Sequence, residues 1–354
     1  MNDSTSNPEI HTFTASSALV AIAQQHLSDV LRIAFEHSAA EKAVMVFDSR
    51  SELAVTLTAA YRHCLPHAHF IDFDHSTPEQ VLAEFADLAA KDLVVLVQST
   101  HFRLEAFRIR VELFKRGLKV IEHPHLGRMP GAEVAYYIDS LAYDPGYYRD
   151  VGHALKAKID AAPHGMIDSG AGNQLIFATP FESAKLNIGD YRQMNNTGGQ
   201  FPLGEVFTEA ADLDLVNGRV RIFIFGDTRF RVNRPATPIT LVIEKKSQVI
   251  DVIDSTPEFD AILAMIRADE GGVVWVRELG LGMNRAFSFA RTVSDIGTYE
   301  RMCGIHLSLG MKHGIYAKPH IKRGEGKYHI DVFAITDSVQ FGDEIVYRDG
   351  QWVV

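Results

Sequence analysis

The chain has 354 residues, 46% of them hydrophobic and 23% charged, and a formal net charge of −10. This composition is typical of a folded globular protein, and the length suffices for two domains with separate cores. The acidic balance and the lack of any block rich in lysine and arginine argue against nucleic acid as a partner. No apolar run approaches membrane-spanning length, so we expect no membrane partner either.

The first residues and the cysteines bear on the cellular compartment. Residues 1–15 are polar and acidic, without the basic-then-apolar order of a secretory signal, and we expect them to form a flexible tail. Cys64 and Cys303 are the only cysteines, which argues against a disulfide framework and favours a cytoplasmic location. Any bound metal would therefore be held by nitrogen and oxygen ligands.

Helical and strand patterns alternate over residues 16–165. The short apolar runs read as buried strands, and amphipathic stretches precede them, as in the sequences AVMVFD, HFIDFD, LVVLVQS and LKVIEHP. Helices between buried strands predict an α/β domain, with a parallel sheet covered by helices on both faces. No phosphate-binding glycine motif follows any of these strands, so we interpret the domain as a scaffold.

A histidine cluster near the end of one predicted helix is a weaker candidate for a metal site. It consists of His63, His67, His69 and His75. The spacing follows no ligand pattern, and Pro66 breaks the helix that would have aligned the side chains. We interpret these histidines as a polar helix end and loop.

Residues 166–354 show mainly the two-residue alternation of β-strands. The pattern predicts an α+β, mostly antiparallel domain that is rich in strands. One strong helix is expected over residues 257–269, capped by Ser255 or Thr256 with Pro257 in its first turn.

Four motifs in this second domain place acidic residues or histidines where an apolar run meets a glycine or a turn. They are FPLGEVFTEA with Glu205, VRELGLGMN with Glu278, ERMCGIHLSLG with His306, and KYHID with His329 and Asp331. On a strand, residues i and i+2 point to the same face, so His329 and Asp331 would stand side by side like two metal ligands.

Each of these residues also has a purely structural explanation. Glu205 is suited to cap an element, Glu278 to pair with Arg277 or Arg285, and His306 to lie in the core. Taken together, however, three carboxylates and two imidazoles are a ligand set suited to two divalent metals. The motifs therefore predict a metal-binding catalytic domain.

In their order along the chain, the four motifs resemble those of the metallopeptidases of the aminopeptidase T family. The resemblance extends to FATPFESAKLNIGDYR ahead of the first motif and, more faintly, to the N-terminal α/β domain. It implies a pair of divalent metal ions, zinc, cobalt or manganese, held by Glu205, Glu278, His306, His329 and Asp331. It also implies hydrolysis of an amide or peptide bond by a metal-activated water.

The chain departs from the family pattern around the first histidine. The family carries a further glutamate shortly before that histidine, and Glu300 is the nearest candidate here. It also has a tyrosine soon after it, where this chain has His313 and then Tyr316. We expect Glu300 to act as the general base and Tyr316 or His313 to stabilise the oxyanion.

A second reaction class stays open, because the resemblance also covers ring-cleaving dioxygenases of the 2,5-dihydroxypyridine type. A mononuclear non-haem Fe(II) centre of that kind would use His306, His329 and Asp331. The shorter chain favours this alternative, as does a basic loop that would suit an anionic substrate, with Lys312, Lys318, Lys322 and Arg323. A protein that only binds a partner is the least supported reading, since buried charges without a metal are costly.

The remaining expectations concern partners. The resemblance implies a small-molecule or short-peptide substrate. The apolar C-terminal segment EIVYRDGQWVV predicts a homodimer.

Overall fold

The computed structural model describes residues 13–102, 109–319, 321 and 324–354. The α-helices of these residues are α1 Ser17–Asp29, α2 Glu52–Cys64, α3 Pro78–Ala86, α4 Ile109–Lys115, α5 Ala132–Asp139, α6 Gly152–Ala161, α7 Pro257–Asp269 and α8 Ile296–Tyr299. The strands are β1 Ala43–Phe47, β2 His69–Asp72, β3 Leu93–Val97, β4 Lys119–His123, β5 Gly165–Asp168, β6 Gln174–Phe177, β7 Lys185–Asn187, β8 Thr197–Gln200, β9 Glu205–Glu209, β10 Val216–Gly226, β11 Val232–Asn233, β12 Ile239–Glu244, β13 Gln248–Ile253, β14 Val276–Gly282, β15 Gly304–Leu309, β16 Ile330–Ala334, β17 Ser338–Phe341, β18 Glu344–Arg348 and β19 Gln351–Trp352.

Some sequence-based expectations fall outside the described residues. These are most of the tail at residues 1–15, the first part of the helix expected over residues 104–117, and the basic residues Lys322 and Arg323. Among the described residues, no helix is both long and apolar enough to cross a lipid bilayer.

One compact unit comprises the described residues up to Ala142 together with Tyr191–Phe201. Its five strands are all parallel, in the order β2-β1-β3-β4-β8. Strands β3 and β4 are buried along their whole length, and Val94 and Val120 pack with Phe85 of α3 and Leu113 of α4. The predicted parallel sheet with helices is confirmed.

Strand β8 was not anticipated from the sequence. Its residues, Thr197–Gln200, include two glycines and no apolar side chain, so they carry no strand pattern. Gly198 has φ +112°, and a Cβ there would lie 1.9 Å from the carbonyl oxygen of Val120. Only glycine allows so close an approach to β4.

The second unit comprises Tyr143–Asp190 and Pro202–Val354. Its strands pair antiparallel in the order β19-β18-β17-β5-β6-β10-β16-β15-β14-β9-β7, with β11 and β12 also pairing with β10 and β13 pairing with β12. Helix α7 begins at Thr256, whose hydroxyl accepts a hydrogen bond from the amide of Phe259, with Pro257 in the first turn. The predicted antiparallel C-terminal domain is confirmed.

The division between the units precedes the boundary expected near residue 165. Residues 143–164 belong to the second unit, because α6 packs against β7 and β9. The hydroxyl of Tyr143 donates to the carbonyl oxygens of Ile188 and Gly189, each at 2.9 Å. Helical periodicity alone does not say which sheet a helix covers.

Candidate metal centre

Four adjacent strands of the second unit carry the candidate ligands. Strands β16, β15, β14 and β9 lie side by side in that order. Glu205 opens β9, Glu278 lies on β14, His306 on β15 and Asp331 on β16, with His329 immediately before β16. Neighbouring antiparallel strands thus bring together residues that are far apart in the sequence.

Three of these side chains meet closely. Glu205, Glu278 and His306 offer ligand atoms that all lie within 4.8 Å of one another, and all three residues are buried or nearly so. The Nε2 atom of His306 is 3.4 Å from Oε1 of Glu205 and 3.6 Å from Oε1 of Glu278. Within the described ranges, no other three histidines, cysteines or carboxylates converge in this way.

His329 and Asp331 form the adjoining pair. The Nε2 atom of His329 is 3.2 Å from Oδ1 of Asp331. The Nδ1 atom of His329 is 3.0 Å from the carbonyl oxygen of Lys312, which can only accept, so Nδ1 donates and Nε2 is the nitrogen that would bind a metal once it loses its proton. This is the usual arrangement of a metal-binding histidine, whose second nitrogen is held by a backbone carbonyl.

The two groups belong to one electrostatic cluster. Asp331 acts on the charge of His306, and Glu278 acts on that of His329. The pair of His329 and Asp331 thus interacts electrostatically with the group of Glu205, Glu278 and His306, whose ligand atoms lie within 4.8 Å of one another.

Buried atoms without a hydrogen bond indicate what this cluster is built to hold. Nε2 of His306, Nε2 of His313 and Oδ1 of Asp331 are buried, and none makes a hydrogen bond of acceptable geometry. Leaving a buried polar atom unsatisfied costs about 1–3 kcal/mol. Buried nitrogen and oxygen atoms left without hydrogen bonds, as on His306 and Asp331, fit a divalent cation held at this cluster.

Gly280 makes room for one of these ligands. It pairs with His306 across β14 and β15. A Cβ at this position would lie 2.0 Å from Cε1 and Nε2 of the imidazole. Any larger residue would displace the His306 ring or the strand that carries it.

The charges of the cluster shift the pKa values of its members. Burial alone would lower the pKa of His306 and His329, but the carboxylates around them outweigh burial and raise both to about 10. Burial would raise the pKa of Glu278, yet the imidazoles of His306 and His313 lower it well below its usual value. Without a metal the cluster therefore retains protons, which a divalent cation would displace.

Glu300 and Arg301 lie against the first group of ligands. Burial, together with the charges of Asp331 and Glu205, raises the pKa of Glu300 well above its usual value. Nη1 of Arg301 lies 2.7 Å from Oε2 of Glu205 and 2.9 Å from Oε2 of Glu300, and Nε donates to the carbonyl oxygen of Pro202. Arg301 was not anticipated from the sequence, where its position beside Glu300 was the only available signal.

His313 and Tyr316, the two candidates for stabilising an oxyanion, differ in their surroundings. His313 is at the cluster, with its side chain 2% exposed and Nε2 at 3.0 Å from Oε2 of Glu278. Tyr316, however, donates its hydroxyl proton to the carbonyl oxygen of Ser183 at 2.7 Å. The role expected of Tyr316 stays a prediction, and it would require this hydroxyl to exchange its backbone partner for the substrate.

The structural alternatives weighed for Glu278 are wrong. Arg277 pairs with Glu209, at 3.0 Å between Nη2 and Oε2, and Arg285 lies 3.7 Å from Asp144. Neither arginine forms an ion pair with Glu278 among the described contacts. In the first unit, His69 pairs with Glu84 and His75 with Asp72 at exposed positions, as expected for polar loop histidines.

Comparison with known proteins identifies the fold. No family model and no curated protein matches the chain. Among solved structures, it is similar to the 2,5-dihydroxypyridine dioxygenase of Pseudomonas putida KT2440, with a TM-score of 0.64 and 14% identity over 94% of this chain and 97% of that one. It is also similar to wild-type AmpT of Thermus thermophilus, with a TM-score of 0.57 and 13% identity over 94% of this chain and 99% of that one.

The chain shares the fold of these two proteins. Identities of 13% and 14% establish the fold alone. In this fold, the buried group of Glu205, Glu278 and His306 could hold a metal ion. The reaction depends on the residues of the site.

Proposed function

We propose that this protein is a metal-dependent hydrolase that cleaves an amide or peptide bond with a metal-activated water at a dinuclear site. The ligand set carries the proposal. Three carboxylates and two imidazoles on four adjacent strands are more than one ion requires, and carboxylates are the usual bridges between paired ions. We propose zinc, cobalt or manganese as the metal, and a small molecule or short peptide as the substrate.

The ligands divide into two groups. Glu205, Glu278 and His306 would hold one ion, and His329 and Asp331 would hold the other. When bound, the ions supply Lewis acidity, which polarises the scissile carbonyl and lowers the pKa of water. The backbone orients the ligands, since the carbonyl of Lys312 fixes the ring of His329 and Ser308 Oγ accepts the amide proton of Glu278 at 3.0 Å.

Glu300 is the proposed general base. Its raised pKa suits a group that must take a proton from water and then give it to the leaving amine. Arg301 donates to Glu300 and to Glu205 and so holds the base beside a ligand. His313 is the proposed donor to the oxyanion.

One observation favours a second candidate, a mononuclear Fe(II) dioxygenase. Nη1 of Arg301 lies 2.7 Å from Oε2 of Glu205 and balances the charge of this carboxylate. A second metal ion is then not needed to balance it. His306, His329 and Asp331 would then remain as the two-histidine, one-carboxylate set of a non-haem iron centre. The structure of the P. putida dioxygenase, with its TM-score of 0.64, makes such a reaction compatible with the fold.

Metal analysis of protein purified without oxygen separates the two candidates. We expect close to two zinc, cobalt or manganese ions per chain, and hydrolysis of amino-acid p-nitroanilides or dipeptides without oxygen consumption. One iron per chain, with oxygen uptake on 2,5-dihydroxypyridine and no peptidase activity, would replace the hydrolase with the dioxygenase. Glu278→Gln should abolish the activity, whereas the exposed control Glu84→Gln should not.

The proposal includes a homodimer formed through the C-terminal strands. Ile345, Val353 and Val354 are 37%, 53% and 40% exposed there. Light scattering of the purified protein tests this part separately, because a monomer at micromolar concentration would contradict it.

A further inference from the structure

The backbone of residues 312–316 hydrogen-bonds to Nδ1 of both His313 and His329. It donates to Nδ1 of His313 and accepts from Nδ1 of His329. The Nδ1 atom of His329 faces the carbonyl oxygen of Lys312 and must donate to it. The Nδ1 atom of His313 instead accepts from the amides of Ile315, at 3.2 Å, and Tyr316, at 3.4 Å. The ring of His313 therefore carries its hydrogen on Nε2, so this nitrogen has no lone pair for a metal.

The N–H of His313 faces the metal centre, and Oε2 of Glu278 lies 3.0 Å from its buried Nε2 but outside hydrogen-bond geometry. Of the three buried atoms of the cluster that lack a hydrogen bond, Nε2 of His306 and Oδ1 of Asp331 are candidate metal ligands. The third, Nε2 of His313, is a hydrogen-bond donor. An oxygen of a molecule bound at the centre would give this donor a well-aligned acceptor.

Arg277 forms hydrogen bonds with the backbone of the segment that carries His313. Its Nη1 donates to the carbonyl oxygen of Met311 at 2.6 Å, and its Nη2 donates to that of Tyr316 at 3.0 Å. One guanidinium therefore joins both ends of the turn that orients His313. A lysine could not reproduce this, because its ammonium lacks the planar fork.

Glu209 forms an ion pair with Arg277 and so orients its guanidinium. Its carboxylate is wholly buried and accepts from both Nε and Nη2 of Arg277. Glu209 lies four residues after Glu205 on β9, so one strand face carries both a metal ligand and the partner of Arg277. The rigid sheet thus sets the metal ligands and the position of His313 together.

We propose that Arg277, locked by Glu209, is a positioning residue that acts through His313. It holds the turn of residues 311–316 so that the Nε2–H of His313 points at a substrate oxygen that becomes negative during the reaction. This inference rests on the proposed hydrolase and narrows its substrates to those with a carbonyl oxygen between the metal centre and His313. His313 is then a catalytic residue and not a metal ligand.

The first test is a double-mutant cycle measured on the metal-loaded protein. We expect His313→Ala to lower kcat about 100-fold and Arg277→Lys to lower it by on the order of 10- to 100-fold, both with unchanged metal content. If Arg277 acts through His313, the double variant is no slower than His313→Ala alone. Additive losses, or loss of metal from His313→Ala, would overturn the proposal.

The second test separates positioning from stability. Replacing a buried ion pair by apolar residues often preserves stability, and Lys318, 3.6 Å from Glu209, keeps its ion pair with Glu182, so Arg277→Met with Glu209→Leu should fold. We expect this pair of changes to lower kcat as much as Arg277→Lys does. The control is Lys119→Met with Glu41→Leu, a partly buried ion pair in the first unit, which should leave kcat unchanged. Full activity in the Arg277/Glu209 variant would show that the pair only stabilises the fold.

A third readout does not depend on the reaction. With ¹⁵N-labelled histidine, the wild-type zinc-loaded protein should show His313 with its proton on Nε2, and the amides of Ile315 and Tyr316 should be protected from hydrogen exchange. Arg277→Lys should reduce both signatures. If the protein proves not to be a hydrolase while these signatures hold, the proposed reaction fails and the positioning of His313 stands. A metal-bound His313 in the wild type would refute the positioning itself.

Discussion

Among single residues, His329 is the proposed ligand that lies outside the strands. It lies just before β16, and its ring is oriented by the carbonyl of Lys312 at Nδ1 and by Asp331 at Nε2. We predict that His329→Ala abolishes metal binding and activity while the parallel sheet of the first unit stays folded, since the ligand belongs to a different compact unit. Elemental analysis and hydrogen exchange measure the two effects.

The matched control is His67→Ala. His67 is exposed and belongs to the histidine cluster of the first unit, so this variant should keep its metal and its activity. Equal loss of metal from both variants would show that the N-terminal histidines bind it.

The raised pKa values of two ligands predict how metal affinity depends on pH. His306 and His329, with pKa values of about 10, are protonated at neutral pH in the metal-free protein, and these protons must leave before the nitrogens can bind. Affinity should therefore rise with pH between 6 and 9, by about tenfold per unit for each proton displaced. Calorimetric titration with zinc in buffers of different ionisation enthalpy counts the released protons, and pH-independent affinity would contradict the assignment.

At the scale of the elements, the close approach of β14 to β15 shapes the centre. Because a Cβ at Gly280 would lie 2.0 Å from the His306 ring, we predict that Gly280→Ala weakens metal binding and destabilises the second unit by about 1–3 kcal/mol. Urea denaturation and metal titration test this. Gly199→Ala is the control, since Gly199 also lies in a strand but has open space around its Cβ position. A Gly280→Ala protein with normal metal affinity would show that the ring can move without cost.

At the scale of the whole molecule, all the proposed ligands lie in the second unit. Binding to the native state alone stabilises the unit that binds. Chelation should therefore increase hydrogen exchange in β9, β14, β15 and β16 and leave β1, β3 and β4 unchanged. Exchange followed by mass spectrometry, with and without EDTA, checks this. Equal changes in both sheets would mean that the two units unfold together.

Much of this fold could be predicted from local pattern. The apolar runs at β1, β3 and β4 and the alternation in β10, β12 and β16 were correctly interpreted as strands, because burial on one or both faces leaves its period in the sequence. Strand β8 could not be found this way, since Thr197–Gln200 has glycines where a strand pattern needs side chains. Its place at the sheet edge depends on β4, which lies far earlier in the chain.

The residue types of the proposed metal ligands and their order could be predicted from the sequence, because these ligands occur in motifs a few residues long: Glu205, Glu278, His306, His329 and Asp331. The tertiary structure alone decided which charges and protons surround them. Arg301 reaches back to Glu205, and Arg277 reaches Glu209 across 68 residues. The tautomers of His313 and His329 depend on which backbone groups the folded chain places against Nδ1. Pairings of this kind are set by strand register and chain crossings, which leave no periodic signal in the sequence.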